Sequence, residues 1–453
     1  MSGIRSTVSG VVAAGVAAAV AASVFLVPWP AVTHVPASVD AVPTPADTVA
    51  VCDGGIFAAG RTAGAAGTLT LAADQRPIVA ADGEYAQSLL RSPAVERFGG
   101  APVFVAPPQQ REAAPLAAVA SGRVLDADLA GFAVDACRTP LFESWLVGGS
   151  TTIGATDLVV LANPGDAVAT VDITVYGTAD PFSPPGGTGL VVPAGTQLVV
   201  PLSGIAGGEA SPVLRVTAAG APVRASLQAS IIRTLEPGGI DQQSAVRASA
   251  GRVVIPGLIV TPVPESLTDD TPTILRLLAP GGDGSAVVSV RSAAGDAVME
   301  STVPLTAGTP VEFELRELPV GTYTVVVDAT MPIVGAVWQT TGFGEGDDFA
   351  WFTAAPGLSG STLLAVPEGP QPVLHLANPG EDDVQVVLRG ASEREVLVPA
   401  GGTAAVSLPP ETTWELDPGG EVHAQVTLAG SGALAGYAVW PSDAAAQPLR
   451  VYP

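Results

Sequence analysis

Hydrolysis through an activated serine needs a base, and histidine is the usual one. The chain has three: His34, His375 and His423. His34 sits among prolines. His375 and His423 each alternate with apolar strand neighbours, so both should point away from a core as exposed strand residues. Repeat alignment sets Val160 and Arg276 opposite His375, and Val213 and Tyr323 opposite His423. No Gly-x-Ser-x-Gly elbow is present. The expectation is no catalytic residue, no cofactor-binding residue and no metal ligand.

Other chemistry is narrowed by composition. All 19 basic residues are arginine, and the chain has no lysine. That excludes a Walker-type phosphate loop, a Ser-x-x-Lys nucleophile and a Schiff base. Acidic clusters occur at Asp269-Asp270, Glu345-Gly346-Asp347-Asp348 and Glu381-Asp382-Asp383. None has the regular spacing of a calcium loop, so they read as solvated turns. A two-carboxylate glycosidase needs its acids held roughly 5–10 Å apart, and no cleft-forming insertion is evident. The net charge of −24 argues against nucleic acid, anionic lipid head groups and anionic wall polymers as partners.

Two cysteines remain, Cys52 and Cys137. They are not spaced as a metal pair, and in an exported chain they suggest one disulfide joining two strands. Two free buried thiols are the alternative. A bridge closing so long a loop stabilises a fold by roughly 4–5 kcal/mol on the chain-entropy account.

The elements that would hold these residues are short strands. Leu374–Ala377 ends in Asn378-Pro379-Gly380, and Leu158–Ala162 ends in Asn163-Pro164-Gly165; a degraded copy runs Leu275–Gly281. Pro fixes φ, Gly is expected to supply positive φ, and Asn can bond to the turn backbone. After the last copy come strand-like runs at Val384–Arg389, Glu395–Val398, Thr403–Leu408, Thr412–Leu416, Glu421–Leu428 and Ala433–Trp440. The first copy matches with Ala169–Tyr176, Leu190–Val192, Gln197–Leu202, Val213–Ala218 and Val223–Ile232. The second ends with Tyr323–Asp328 and Ile333–Trp338. Trp145–Val147, Val253–Leu258 and Phe349–Thr353 read as lead-in strands.

This pattern predicts an all-β fold, an N-terminal transmembrane helix followed by tandem immunoglobulin-like antiparallel sandwiches. The expected divisions are a cytoplasmic end at 1–7, an anchor at 8–27, a Pro-rich spacer at 28–50 and an irregular region at 51–137. Sandwiches then occupy 138–247, 248–345 and 346–453. Within the irregular region, 81–98 has some helical character. Short linkers predict an elongated stalk.

Val8–Val27 is a run of 20 uncharged residues, long enough to cross a bilayer. Arg5 precedes it and the next basic residue is Arg61, so the remainder should face outward. A cleaved signal peptide competes, although its apolar core is usually ~7–15 residues. Either reading exports the chain.

Cys137-Arg138-Thr139-Pro140, Trp145-Leu146-Val147-Gly148-Gly149 and the two Ala-Asn-Pro-Gly turns, in this order, resemble a family of exported actinobacterial proteins of unknown function. The resemblance covers most of residues 50–440 and implies a membrane segment followed by repeated sandwiches. It implies no activity and no site residues. The functional expectation is a non-enzymatic envelope protein on the outer side of the cell membrane, acting as spacer, adaptor or binding surface. Its partner would be an envelope protein or wall glycan. An array of carbohydrate-binding modules is the alternative and a wall-modifying enzyme the third reading. The tryptophans at 29, 145, 338, 351, 414 and 440 read as core anchors rather than sugar platforms.

Overall fold

A computed structural model describes residues 45–60, 68–109, 112–261 and 272–441, with Val16 and the short strands Val39–Ala41 and Leu449–Val451. These two strands pair antiparallel in a small unit of their own. The 8–27 segment, the spacer up to residue 44, His34, Trp29 and Asp269-Asp270 lie outside the described residues, apart from Val16 and that first short strand; the spacer's last residues, from Thr48, already belong to strand Thr48–Val51. Among the described residues no helix is long and apolar enough to cross a membrane. The main unit spans 45–445.

The main unit is nearly all strand, arranged in several antiparallel sheets. Lobe one, 48–137, holds three sheets of three strands each. It was expected to be irregular, with helical character at 81–98. Instead that segment forms Ala86–Leu90, paired to the buried strand Ala101–Ala106, and a short strand at Val95–Glu96. Pairing to a buried neighbour overrides the local propensity.

Lobe two, 138–247, stacks Glu143–Val147, Val213–Ala219, Ala169–Tyr176 and Leu190–Val192 against Thr196–Pro201, Leu158–Asn163, Arg224–Arg233 and Glu236–Ser244. Val159, Leu161, Val171, Ile173, Leu214 and Leu227 fill the space between its sheets. Lobe four, 357–438, repeats the plan around Leu374, Leu376, Val386, Leu388, Trp414 and Val426.

Lobe three, 250–353, departs from it. The two strands expected near 323–338 are one strand, Gly321–Thr340. Its first half pairs with Ala250–Val260 and Gly284–Arg291, its second with Thr273–Leu278 and Phe349–Thr353. Pro332, which has no N–H, falls in the half-exposed stretch where the strand changes partners, so it costs no ladder bond. Phe349–Thr353 therefore closes lobe three rather than leading into lobe four.

The Asn-Pro-Gly turns form with one difference. Asn163 Oδ1 accepts the Gly165 N–H at 3.0 Å, and its amide donates to the carbonyls of Ala167 and Val192 at 2.8 and 2.9 Å. Asn378 repeats this with Gly380, Asp382 and Val398. Gly165 and Gly380 do not take positive φ; a Cβ there would lie 3.2 and 3.0 Å from the Asn oxygen, so glycine serves close approach. Positive φ is found at the second turns, at Gly195, Gly308 and Gly401 (+65°, +73° and +68°).

The lobes do not run on as a stalk. Each ends in a hairpin: 116–126 with 129–137, 224–233 with 236–244, 321–340 with 349–353, and 422–430 with 433–438. The last strands of these hairpins touch one another in cyclic order around one axis. They are rich in Ala and Gly and almost wholly buried, as strands covered on both faces must be. The lateral contacts come from residues that face out of each sandwich. Val160 packs on Phe57 and Leu69 of lobe one, Arg276 bonds to lobe two, and His375 lies against Gly257 of lobe three. These three positions are equivalent in the repeat alignment.

Candidate functional site: a groove between lobes two and three

Strand Thr273–Leu278 places Arg276 against lobe two. Its Nε and Nη2 donate to Glu312 Oε1 at 3.0 and 2.7 Å, and its Nη1 donates to the carbonyls of Gly149 and Pro212 at 2.8 and 3.0 Å. The guanidinium lies 4.7 Å over the Trp351 ring. Burial lowers its pKa, and Glu312 opposes that shift. Asp157 organises the facing loop: its carboxylate accepts the Ser150 and Ser230 N–H groups at 2.7 and 3.0 Å. Burial pushes this carboxyl up to about 7, against those two bonds and Arg276.

Together these groups floor a groove of about 300 Å³ between the lobes. Ile231, Ile274 and Trp338, all partly exposed, form its apolar wall. Trp338 is braced by Phe349 and Phe343, with ring centroids 6.1 and 6.4 Å away. Ser150, Thr152, Ser211 and Ser230 supply hydroxyl groups. Glu312 is held by Arg276 through its Oε1, and each oxygen of Asp157 accepts a backbone N–H.

Cys52 and Cys137 form the one disulfide. Asp135 lies close to both sulfurs, but sulfurs bonded to each other cannot ligate a metal. His375 and His423 do face away from their sandwich core, yet neither is exposed, because lobe three covers that face. His375 Nε2 pairs with Thr427 Oγ1 at 2.9 Å, and burial lowers its pKa to about 4. His423 Nδ1 pairs with the Ala355 carbonyl at 2.8 Å. The His375–Thr427 pair is closed off from solvent, with both side chains buried.

The acidic cluster at 345–348 is divided. Asp347 caps its own turn, accepting the Gly344 N–H at 2.8 Å. Asp348 was expected in a solvated turn and is fully buried on the axis of the lobes. Its carboxylate accepts the N–H groups of Phe132, Ile240, Phe349 and Leu434 at 2.9, 3.0, 3.0 and 3.1 Å, one from each inner strand. Gly131 and Gly239, at φ +148° and +114°, bring two of those strands in; a Cβ on either would lie 2.7 Å from Asp348 Oδ1. A buried set joins lobes one and two: Arg224 bonds both Asp53 and Asp135, and Ser226 donates to Asp53. Nothing in local sequence marks Arg224 or Asp348. The only trace is the recurrent Gly-Phe, Gly-Ile, Asp-Phe and Ala-Leu where the inner strands meet Asp348.

Strand Glu236–Ser244 escaped pattern reading because three of its buried residues, Asp241, Gln242 and Gln243, are polar and two are glycine. Asp241 accepts the Trp351 N–H, and burial pushes it up to about 8; Asp348 is likewise pushed up to about 7. These folded-state values exceed the unfolded one. The folded protein therefore holds protons that the unfolded chain has released between about pH 4 and pH 7–8, and stability falls as pH rises through that window. Thermal melts should show a lower Tm at pH 8.5 than at pH 5.5. Asp241→Asn should flatten the profile between pH 6 and 8.5 and stabilise the protein at pH 8.5, on the order of a few kcal/mol.

The model of a family of unknown function (DUF5719) matches residues 94–419, most of the chain. No curated protein matches the sequence.

Proposed function

The chain belongs to that family of unknown function, and we propose that it is a non-enzymatic envelope protein that offers a rigid array of immunoglobulin-like β lobes as a binding surface. The observation that carries this reading is the groove between lobes two and three. It is aromatic-walled and open, and Arg276 at its floor is already bonded across to the Gly149 and Pro212 carbonyls of lobe two. Two further features support it. The Cys52–Cys137 bridge suits an oxidising, exported compartment. The net charge of −24 suits a solvated outer surface better than an anionic partner. In this reading residues 8–27 anchor the chain and the main unit faces outward.

The test is retention of the full chain by purified wall glycan and, separately, by detergent-solubilised membrane proteins. Retention by one of them, reduced by Trp338→Ala, is the expected result. Release of soluble fragments from the glycan would make the protein an enzyme, and retention by neither would end the binding-surface reading.

A further inference from the structure

We propose that the groove between lobes two and three is a subsite for a neutral sugar, about one or two pyranose rings of a glycan. The inference rests on reading this groove as the binding surface and adds the class of ligand. The lining disfavours either sign of charge. Arg276 spends four of its five N–H donors on Glu312 and two carbonyls and stacks on Trp351, so no fork of paired donors is left for a phosphate or carboxylate. Glu312 is neutralised by that pairing, and both oxygens of Asp157 are taken by backbone N–H groups. A cationic ligand thus finds no carboxylate without a partner, and the protein's overall charge repels anions.

What remains is a flat apolar face beside hydroxyl groups. A pyranose has a face of C–H bonds that packs on an indole, and Trp338 presents such a ring, held in place by Phe343 and Phe349. Ser150 and Thr152 bond each other at 2.9 Å, and the Ser230 hydroxyl donates to the Thr156 carbonyl at 2.8 Å. Their oxygens keep lone pairs that accept from sugar hydroxyls. The groove's volume, about 300 Å³, lies at the small end of ligand sites.

The test titrates the full chain with neutral oligosaccharides, chitotetraose, cellotetraose and maltotetraose, following saturation transfer to the sugar and calorimetric heat. One of them should bind saturably, with saturation strongest on ring C–H protons. Trp338→Ala should weaken that binding at least about tenfold, measured at a temperature where the variant is folded. Trp338→Phe should recover part of it, and this variant carries the test if the alanine form does not fold. No binding by any of the three sugars, or binding indifferent to Trp338, overturns the proposal. Trp338-dependent binding of a charged small molecule in place of sugar overturns the ligand class while leaving the groove as the binding surface.

Discussion

Arg224→Met is expected to destabilise the protein by about 3–5 kcal/mol, the cost of breaking a buried ion pair from one side. Arg224 is 1% exposed, and its carboxylate partners Asp53 and Asp135 are equally enclosed. Two carboxylates share one guanidinium here, and burial already pushes the Asp135 carboxyl up. Ser226 donates to Asp53, and the Asp53 N–H donates to Asp135 at 2.5 Å, but neither bond supplies a counter-charge. Removing Arg224 leaves two buried acids that must take up protons or open the contact between lobes one and two. Urea unfolding at pH 7.5 with the disulfide intact measures the loss. The loss should shrink at pH 5.5, where protonation relieves the orphaned carboxylates. Adding Asp53→Asn and Asp135→Asn to Arg224→Met should recover much of it, because no unpaired charge then remains. A single-variant loss below about 1 kcal/mol would mean that water reaches the cluster.

Asp348→Ala is expected to be comparably severe, at about 4 kcal/mol or more. It strips the acceptor from four N–H groups in one buried place, and an orphaned buried donor costs about 1–3 kcal/mol. The donors belong to all four lobes, so the damage should spread. Limited proteolysis should cut the variant at the junctions between lobes under conditions in which the parent protein stays intact. Asp348→Asn keeps one acceptor oxygen and should lose about half as much. An alanine variant as resistant as its parent would show that lateral packing between lobes, and not the carboxylate, holds the axis closed.

Strand positions were legible where one face is buried and the other is not. Ala169–Tyr176 and Leu190–Val192 fall where alternation and turn residues put them. The cysteine pair was legible from number and context. The repeat alignment also isolated Val160, Arg276 and His375 as equivalent residues on the outward face. Alternation alone reads such a face as solvent-exposed, whereas the three side chains are covered by the preceding lobe. The same limit hid Glu236–Ser244, whose buried residues are mostly polar or glycine, and divided Gly321–Thr340 at a proline.

The amino-acid sequence by itself determined the β class, the places of the Asn-Pro-Gly turns and the disulfide partners, because each depends on residues close in the chain or on a simple count. Only the tertiary structure decided that the lobes close around an axis, that Asp348 sits on it, that Arg224 bridges Asp53 and Asp135, and that Trp338 walls a groove rather than a core. Those outcomes join residues up to 300 positions apart, as between Arg138 and Ala438. Their energies come from desolvated charge and from backbone donors meeting at one point, and neither leaves a periodic mark on the chain.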